Sequence, residues 1–276
     1  MKRNRSGLLL LGCIIYLVAS SSAFAQLIGY WPLDGNATAS VGTNGAMGGS
    51  PTGTTDRFGT TNGALAFNGS SWVSLSSGGG LDGLSTFSIA FWVKWSGAGQ
   101  DVGYANTNYG AVTGRQNNGE FGPTLFSERI ISLTTADPAT GKIAWHPFDF
   151  GGFSVSSPNP PGNGVWTHVA ITVSGTTSHS LYIDGSLAAS GTSTTQTFFT
   201  NPSAPLTIGA WLPNGASYST ASVDDFRIYN TALSDSEVAA VYAIPEPSTY
   251  AALAGLGALG LAVLRRRRRL LPLNRG

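Results

Sequence analysis

Alternation of apolar and polar residues recurs along the middle of the chain and is the main sign of its secondary structure. In residues 87–95 every odd-numbered position is apolar, as in a β-strand with one buried face. Residues 165–173 carry apolar or small side chains on both faces, which is typical of a strand inside a sandwich. Two further short strands are predicted over residues 205–211 and 222–229. The pattern therefore indicates an all-β domain.

Turn and loop residues separate these strands. Residues 179–190 predict a β-hairpin in which Asp184 and Gly185 form a two-residue type I′ turn, because both central positions of that turn need a positive φ. Residues 96–122 and 191–203 are rich in glycine, asparagine and threonine, and are predicted to be long loops. The composition, with 37 glycines and 11% charged residues, also favours short strands and tight turns over helices.

One helix is predicted near the end of the domain, from Asp235 to about Tyr242. Ser234 and Glu237 have the spacing of a capping box, in which each side chain bonds the other residue's backbone amide. Leu233 and Val238 flank the box at the spacing of a hydrophobic staple. The helix therefore closes the domain just before a Pro-rich hinge.

The N-terminus has the three parts of a secretory signal peptide, which is predicted to span residues 1–25. A basic start precedes an apolar core over residues 8–19, and small residues then predict cleavage between Ala25 and Gln26. The only cysteine, Cys13, lies within this segment. The processed chain would contain no cysteine, which excludes disulfides and thiolate chemistry.

The C-terminal segment combines a Pro-rich hinge, an apolar run and a basic cluster. These parts are Pro245-Glu246-Pro247, residues 250–264, and a basic cluster that begins with Arg265, Arg266 and Arg267 and ends at Arg269. The apolar run is short for a membrane span, which usually needs about 20 residues. The arginines and residues 270–276 are expected to stay cytoplasmic, with the domain outside. The run is therefore predicted to be a short transmembrane-like helix that anchors transiently or is removed.

Charge distribution excludes one class of partner. The formal net charge of +1 hides the fact that residues 26–264 hold six basic against fourteen acidic residues, a net charge of −8. Such a domain is a poor partner for nucleic acid, whose binding depends on Lys and Arg at phosphates. The glycine pattern at Gly255, Gly257 and Gly260 lies in the apolar run, not in a strand–turn–helix unit, and does not indicate nucleotide binding.

Four segments carry a family resemblance when taken in order. They are residues 27–35, 63–69, 166–185 and 223–234. In this order they resemble the LamG-like jelly-roll family, whose members have a concanavalin A/laminin G-like β-sandwich. The resemblance implies a single all-β jelly-roll domain over residues 26–243 with a short C-terminal helix.

Residues 244–269 resemble a second family, the PEP-CTERM sorting signal of Gram-negative bacteria. The resemblance rests on the Pro-Glu-Pro hinge, the apolar run and the arginine cluster in that order. It implies an inner-membrane intermediate, processing by an exosortase-type enzyme, and a final location at the outer surface or in an extracellular matrix. The partners it implies are that enzyme, the inner membrane for a time, and exported polysaccharide.

Asp224 is a candidate metal ligand. It alternates with Phe226 and Ile228 in a predicted strand, so it is expected to face the core, where a carboxylate needs a partner. Asp34 resembles a family position close to it in space. The two aspartates together predict a structural Ca²⁺ that is held by carboxylate and carbonyl oxygens. The alternative is a buried hydrogen bond or salt link, with Arg227 as a candidate partner.

Candidate catalytic residues are few. Sandwich glycosidases of the related laminarinase type place Glu-x-Asp-x-x-Glu on one strand, and this sequence has no such pattern. Two of its four glutamates, Glu237 and Glu246, belong to the helix cap and the sorting segment. A glycoside hydrolase would have to rely on Glu120 or Glu128. The sequence therefore predicts a protein that is not an enzyme.

The resulting functional hypothesis is an exported, non-catalytic surface or matrix protein that binds carbohydrate or another protein. Four aromatic residues in or beside predicted loops are candidates for sugar stacking: Trp95, Tyr104, Tyr109 and Trp211. A purely structural matrix protein without a specific ligand is the alternative, and a glycoside hydrolase is a third. His168 is predicted to be a packed, hydrogen-bonded core residue.

Overall fold

The structure, a computed structural model, describes residues 25–95, 111–115, 132–134, 142–146, 155–159, 162–175, 177–192, 205–210 and 218–245. Strands in the first half are β1 (Leu27–Trp31), β2 (Ala46–Gly48), β3 (Thr52–Thr54), β4 (Ala64–Ala66), β5 (Trp72–Leu75), β6 (Phe87–Trp95), β7 (Ala111–Arg115) and β8 (Ser132–Thr134). Those that follow are β9 (Ala144–His146), β10 (Val155–Ser156), β11 (Thr167–Ser174), β12 (Ser178–Ile183), β13 (Ser186–Thr192), β14 (Leu206–Ile208) and β15 (Ala221–Tyr229). The helix α1 spans Asp235–Tyr242.

The strands form two antiparallel sheets. The eight-stranded sheet has the order β13-β12-β11-β6-β15-β4-β3, and β1 also pairs with β15, next to β4. The seven-stranded sheet has the order β10-β9-β8-β7-β14-β5-β2. The strands β11 to β13 and β7 to β10 follow one another along the chain, whereas the pairs β6–β15 and β5–β14 join strands that are far apart in sequence. This arrangement confirms the predicted all-β sandwich.

The main core contains inward-facing side chains from both sheets. The apolar positions of β6 predicted from the alternation, Phe87 to Trp95, all lie in this core and are at most 4% exposed. Phe226 of β15 stacks on Phe91 with ring centroids 5.4 Å apart and tilts against Trp31 at 6.2 Å. Burying these large rings supplies much of the hydrophobic stabilisation of the fold.

Helix α1 packs on the outer face of the eight-stranded sheet, where a second, smaller apolar cluster forms. Val238 and Val241 of the helix contact a layer that includes Ala90, Ala170 and Tyr182. The predicted capping box is present: the Ser234 hydroxyl accepts from the Glu237 amide, and the Glu237 carboxylate accepts from the Ser234 amide. Both the bounds of the predicted helix and its cap are confirmed.

The predicted hairpin is also confirmed. Asp184 and Gly185 join β12 to β13 with φ values of 49° and 76°, as a type I′ turn requires. The Asp184 carboxylate accepts from the His168 amide at 2.9 Å. The turn is thereby fixed to the neighbouring strand β11.

Two loop predictions were partly wrong. Strand β7 lies inside residues 96–122 and occupies a central place in the seven-stranded sheet, between β8 and β14. Strand β13 extends to Thr192, into the second predicted loop. The stretch forming β7 has too short an apolar pattern to be recognised, and its pairing with two neighbours overrides its composition.

The structure describes neither the predicted signal peptide before Ala25 nor the sorting segment after Pro245, so those predictions lie outside the described residues. Within the described residues, no helix is long and apolar enough to cross a membrane.

Candidate functional site

A β-bulge in β15 determines where the predicted metal ligand lies. Asp224 lies opposite Trp92 of β6, but the register then shifts, so that Arg227 lies opposite Ala90. Asp225, at the bulge, has a φ of 56°, and its amide donates to the Pro32 carbonyl at 3.2 Å. Because of the extra residue, Asp224 lies on the outer side of the sheet. The expectation that it faces the sandwich core was therefore wrong.

Asp224 and Asp225 bind two arginines in a buried ion-pair network. Nη1 of Arg57 donates to Oδ2 of Asp224 at 2.7 Å, and Nη2 of Arg57 lies 2.8 Å from Oδ2 of Asp225. Arg227 lies 2.9 Å from the other Asp225 oxygen. The Arg57 side chain is 5% exposed, so these contacts are screened little by solvent. The salt-link alternative for Asp224 thus has Arg57 as a partner, while Arg227 binds the neighbouring Asp225.

Tyr30 of β1 completes the network. Its hydroxyl donates to Asp225 at 2.6 Å, and the Arg227 guanidinium lies 4.4 Å from the centre of its ring. Burial first, and the negative charge of Asp225 second, raise the pKa of Tyr30 well above its usual range. The phenol therefore remains a hydrogen-bond donor at physiological pH.

An aromatic layer surrounds the Arg57 guanidinium. The guanidinium carbon lies 4.4 Å from the centre of the Phe58 ring and 4.8 Å from that of Trp92. Trp92 stacks on Tyr242, at the end of α1, with centroids 5.4 Å apart, and His168 lies edge-on to both rings. We refer to Arg57, Phe58, Trp92, His168 and Tyr242 as the exit cluster.

His168 is packed as predicted, but its ring is not hydrogen-bonded as expected. Neither ring nitrogen has a hydrogen-bond partner among the described residues. Burial first, and the positive charges of Arg227 and Arg57 next, lower the pKa of His168 to about 3. The imidazole is therefore neutral at physiological pH and acts as a packing element.

The exit cluster lies where the chain leaves the domain. Nη2 of Arg57 donates to the carbonyl oxygen of Ile244 at 3.4 Å. The next residue, Pro245, begins the Pro-Glu-Pro hinge of the predicted sorting segment, which spans residues 244–269. Of the residues predicted to make up the sorting signal, the structure describes only Pro245, which is half-buried. The domain thus holds the base of the segment through side chains that were not singled out in the sequence.

The two predicted calcium ligands differ in environment. Asp34 lies on an exposed turn after β1, and its pKa is raised by partial burial and by the nearby charges of Asp225 and Asp56. Asp224 is 1% exposed and bound to Arg57. In the part of the chain that the structure describes, no three His, Cys, Asp or Glu residues are grouped in a way that could hold a metal ion. Calcium binding stays a prediction.

Of the four aromatic residues predicted to lie at the surface, the structure describes one. Trp95 is buried in the main core, and Tyr104, Tyr109 and Trp211 lie outside the described residues. Instead, Trp72 of β5 and Tyr218 are both half-buried, with ring centroids 5.9 Å apart. A Cβ on Gly48 would meet the Trp72 ring, so this ring lies directly over Gly48 of the edge strand β2. Asn68 and Ser70, both exposed, precede Trp72 closely in the chain.

Of the glutamates considered for catalysis, Glu237 acts in the helix cap, where bonds from the Ser234 amide and hydroxyl lower its pKa. Glu120 and Glu128 lie outside the described residues.

Two facing antiparallel sheets with a helix on one outer face define a jelly-roll β-sandwich of the lectin-like class. The sequence profile of the Concanavalin A-like lectin/glucanases superfamily matches residues 67–239, and the chain belongs to this superfamily. The PEP-CTERM protein-sorting motif matches residues 243–269. That motif indicates export and a surface or extracellular location. No curated protein sequence matches the chain significantly.

Several solved structures share the fold. Domain 4 of AbnA, a GH43 extracellular arabinanase from Geobacillus stearothermophilus solved with arabinotriose, has 20% identity and a TM-score of 0.57, over 79% of this chain and 98% of that domain. The binding domain of Paraclostridial Mosquitocidal Protein 1 has 19% identity and a TM-score of 0.55, over 78% of this chain and 51% of its own. The binding domain of Botulinum Neurotoxin DC, solved with SialylT, has 14% identity and a TM-score of 0.50, over 78% of this chain and 50% of the neurotoxin chain.

Proposed function

We propose that this protein is an exported, non-catalytic carbohydrate-binding protein of the cell surface or extracellular matrix. The observation that carries the proposal is the junction between the lectin-like sandwich, whose closing helix ends at Tyr242, and the sorting motif, which begins at residue 243. Support comes from the arabinanase domain solved with arabinotriose, which is matched over nearly its whole length. An exosortase-type enzyme is the proposed processing partner, acting on an intermediate in the inner membrane.

The proposed sugar-binding surface is the aromatic pair Trp72 and Tyr218. A half-exposed indole offers a flat apolar face, and polar side chains beside it can bond sugar hydroxyls. Asn68 and Ser70 supply an amide and a hydroxyl close by, and are exposed. Gly48 leaves room for the indole to lie across β2.

Isothermal titration of the exported protein with polysaccharide from the producing cells and with arabino-oligosaccharides tests this proposal. Trp72→Ala is expected to weaken binding at least about tenfold, since losing one stacked anchor typically costs 1–2 kcal/mol or more. Trp166→Ala is the matched control, because Trp166 is also half-buried but directly precedes β11 of the other sheet, and Lys94 lies 5.0 Å from its ring. A folded protein that binds no glycan would favour the purely structural alternative.

Two further measurements examine the enzymatic and processing parts of the hypothesis. Release of reducing sugar that is lost in Glu120→Gln or Glu128→Gln would show a glycoside hydrolase and overturn the non-catalytic proposal. Mass spectrometry of the exported protein would show whether the chain ends near Pro245, as expected after processing, or retains Arg265 to Arg269. Retention of the arginines in the mature surface protein would contradict processing.

The calcium proposal is tested separately by thermal unfolding with Ca²⁺ and with EDTA. A structural ion at Asp34 and Asp224 predicts a Tm that falls in EDTA and recovers when Ca²⁺ is restored. Asp34→Asn should abolish this response. An unchanged Tm would contradict the calcium proposal and favour the salt-link alternative, in which Asp224 binds Arg57.

A further inference from the structure

Large apolar side chains are exposed around the point where the chain leaves the domain. Phe58 is 54% exposed, Leu187 is 51% exposed and Tyr242 is 39% exposed. Phe58 and Tyr242 flank Arg57 and Trp92 in the exit cluster. We refer to Phe58, Leu187 and Tyr242 as the exit rim.

Leu187 belongs to the same side of the molecule. It pairs with Tyr182, whose ring contacts α1 on the outer face of the eight-stranded sheet. Gly185, two residues earlier, packs against the Tyr242 ring, where an added Cβ would lie 3.0 Å from Cδ1. All three rim residues therefore surround the C-terminal end of α1.

The base of the tail is fixed close to this rim. The Ile244 carbonyl accepts from Arg57, whose guanidinium lies over the Phe58 ring. Five residues, 245–249, separate Ile244 from the apolar run that begins at Tyr250. The six Cα–Cα steps from Ile244 to Tyr250 reach only about 20–22 Å when fully extended. A domain whose apolar run is inserted in a bilayer must therefore keep Ile244 within about that distance of the interface.

The chemistry of the rim suits a lipid interface. Aromatic side chains concentrate at the boundary between headgroups and acyl chains. Arg57 and Arg227 are already paired with aspartates, and Asp184 and Asp235 nearby are exposed. A contact through this surface would therefore depend on apolar burial and not on attraction to anionic lipid.

We propose that, while the sorting segment is in the membrane, the exit rim inserts into the outer-leaflet interface and holds the domain against the bilayer. This inference rests on the membrane intermediate of the proposed function. Three side chains are too few to anchor a free domain, but a short tether raises their effective concentration at the membrane to the millimolar range. Cleavage after the domain would remove the tether, and the rim would then release.

The test uses the full-length chain with Cys13, its only cysteine, replaced by serine. The protein is reconstituted in phosphatidylcholine–phosphatidylethanolamine vesicles. An environment-sensitive fluorophore is attached in one variant at Ser186→Cys, beside the rim, and in another at Met47→Cys, an exposed site on β2 of the other sheet. Insertion at the interface should shift the emission of the Ser186→Cys probe to the blue and let lipids with a quencher in the headgroup quench it. The Met47→Cys probe should show neither change.

Removing the apolar rim should abolish this difference. Phe58→Ser combined with Leu187→Ser is expected to lower quenching at position 186 to the level at position 47. Val41→Ser combined with Val165→Ser is the matched control, because both valines are exposed and lie outside the rim. The control should retain the strong quenching at position 186.

Other outcomes would overturn the inference in distinct ways. If the chain does not float with vesicles, the membrane intermediate fails and the rim proposal fails with it. If the chain floats but both probes are quenched equally, only the rim proposal is wrong. Quenching that needs anionic lipid and disappears in high salt would replace the apolar contact with an electrostatic one. A rim variant that blocks processing in cells, with vesicle quenching unaltered, would assign the surface to the processing enzyme.

Discussion

Replacing Arg57 with methionine removes the guanidinium that bonds both Asp224 and Asp225. Methionine keeps much of the apolar stem, so the aromatic contacts with Phe58 and Trp92 are disturbed less than the ion pairs. Asp225 retains Arg227 and Tyr30 as partners, at 2.9 Å and 2.6 Å. The main effect is therefore expected at Asp224, whose carboxylate loses its 2.7 Å contact with Arg57 while it stays buried.

The magnitude follows from this burial. Removing one partner of a buried ion pair costs about 3–5 kcal/mol, because the buried charge loses attraction and charge-assisted hydrogen bonds that offset its desolvation. A domain of ordinary stability has about 5–15 kcal/mol in total. The variant should thus lose a large share of the folding free energy, with a fall in Tm of about 6–20 °C for a domain of this size.

Urea unfolding followed by tryptophan fluorescence measures the loss. Arg57→Lys is the matched control: it keeps the charge but lacks the forked donors that bridge two carboxylates, so an intermediate loss is expected. Asp224→Asn added to Arg57→Met should restore part of the stability, with a coupling energy of about 1–3 kcal/mol. A loss below about 1 kcal/mol for Arg57→Met, or strictly additive effects in the double variant, would refute the role assigned to this network.

Three further outcomes are expected from other parts of the fold. The pKa of His168 is about 3 in the folded protein and near 6.5 in the unfolded chain, so the free energy of unfolding should be constant above pH 6.5 and fall towards pH 3 by up to about 1.4 kcal/mol per pH unit. His168→Phe should lose less stability in acid, as measured by urea unfolding at several pH values. Parallel curves for the two proteins would contradict this. Ser234→Ala should cost about 1 kcal/mol by losing the helix cap, whereas Ser236→Ala should be nearly neutral, and equal losses in urea unfolding would argue against the cap. Gly209→Ala should lower Tm more than Gly164→Ala does. Both glycines have a positive φ, but only a Cβ at position 209 would overlap an aromatic ring, that of Phe67. Similar losses would show that this ring can move aside.

The elements predicted correctly have local causes. The capping box joins Ser234 to Glu237 within one helical turn, and the Asp184-Gly185 turn needs only two residues that tolerate positive φ. The alternation of β6 is long enough to mark its buried face without knowledge of its neighbours. In each case the interacting groups, or the pattern that reports them, lie within a few residues in sequence.

The interactions that were missed join distant residues. Arg57 and Asp224 are 167 positions apart and meet only because β4 and β15 are adjacent in the sheet. The bulge at Asp225 turned Asp224 away from the core that simple alternation assigned to it. Strand β7 is short and Gly- and Thr-containing, and it exists because β8 and β14 pair with it.

The order and types of the residues were enough to predict the class of fold, the closing helix, the hairpin turn and the sorting segment. These depend on local backbone preferences and on the order of segments along the chain. Tertiary structure decided which aromatic residues reach the surface, how Asp224 is neutralised and how Ile244 is held at the start of the tail. Those features depend on strand order and on one shift of register, and a linear pattern of residue types specifies neither of them.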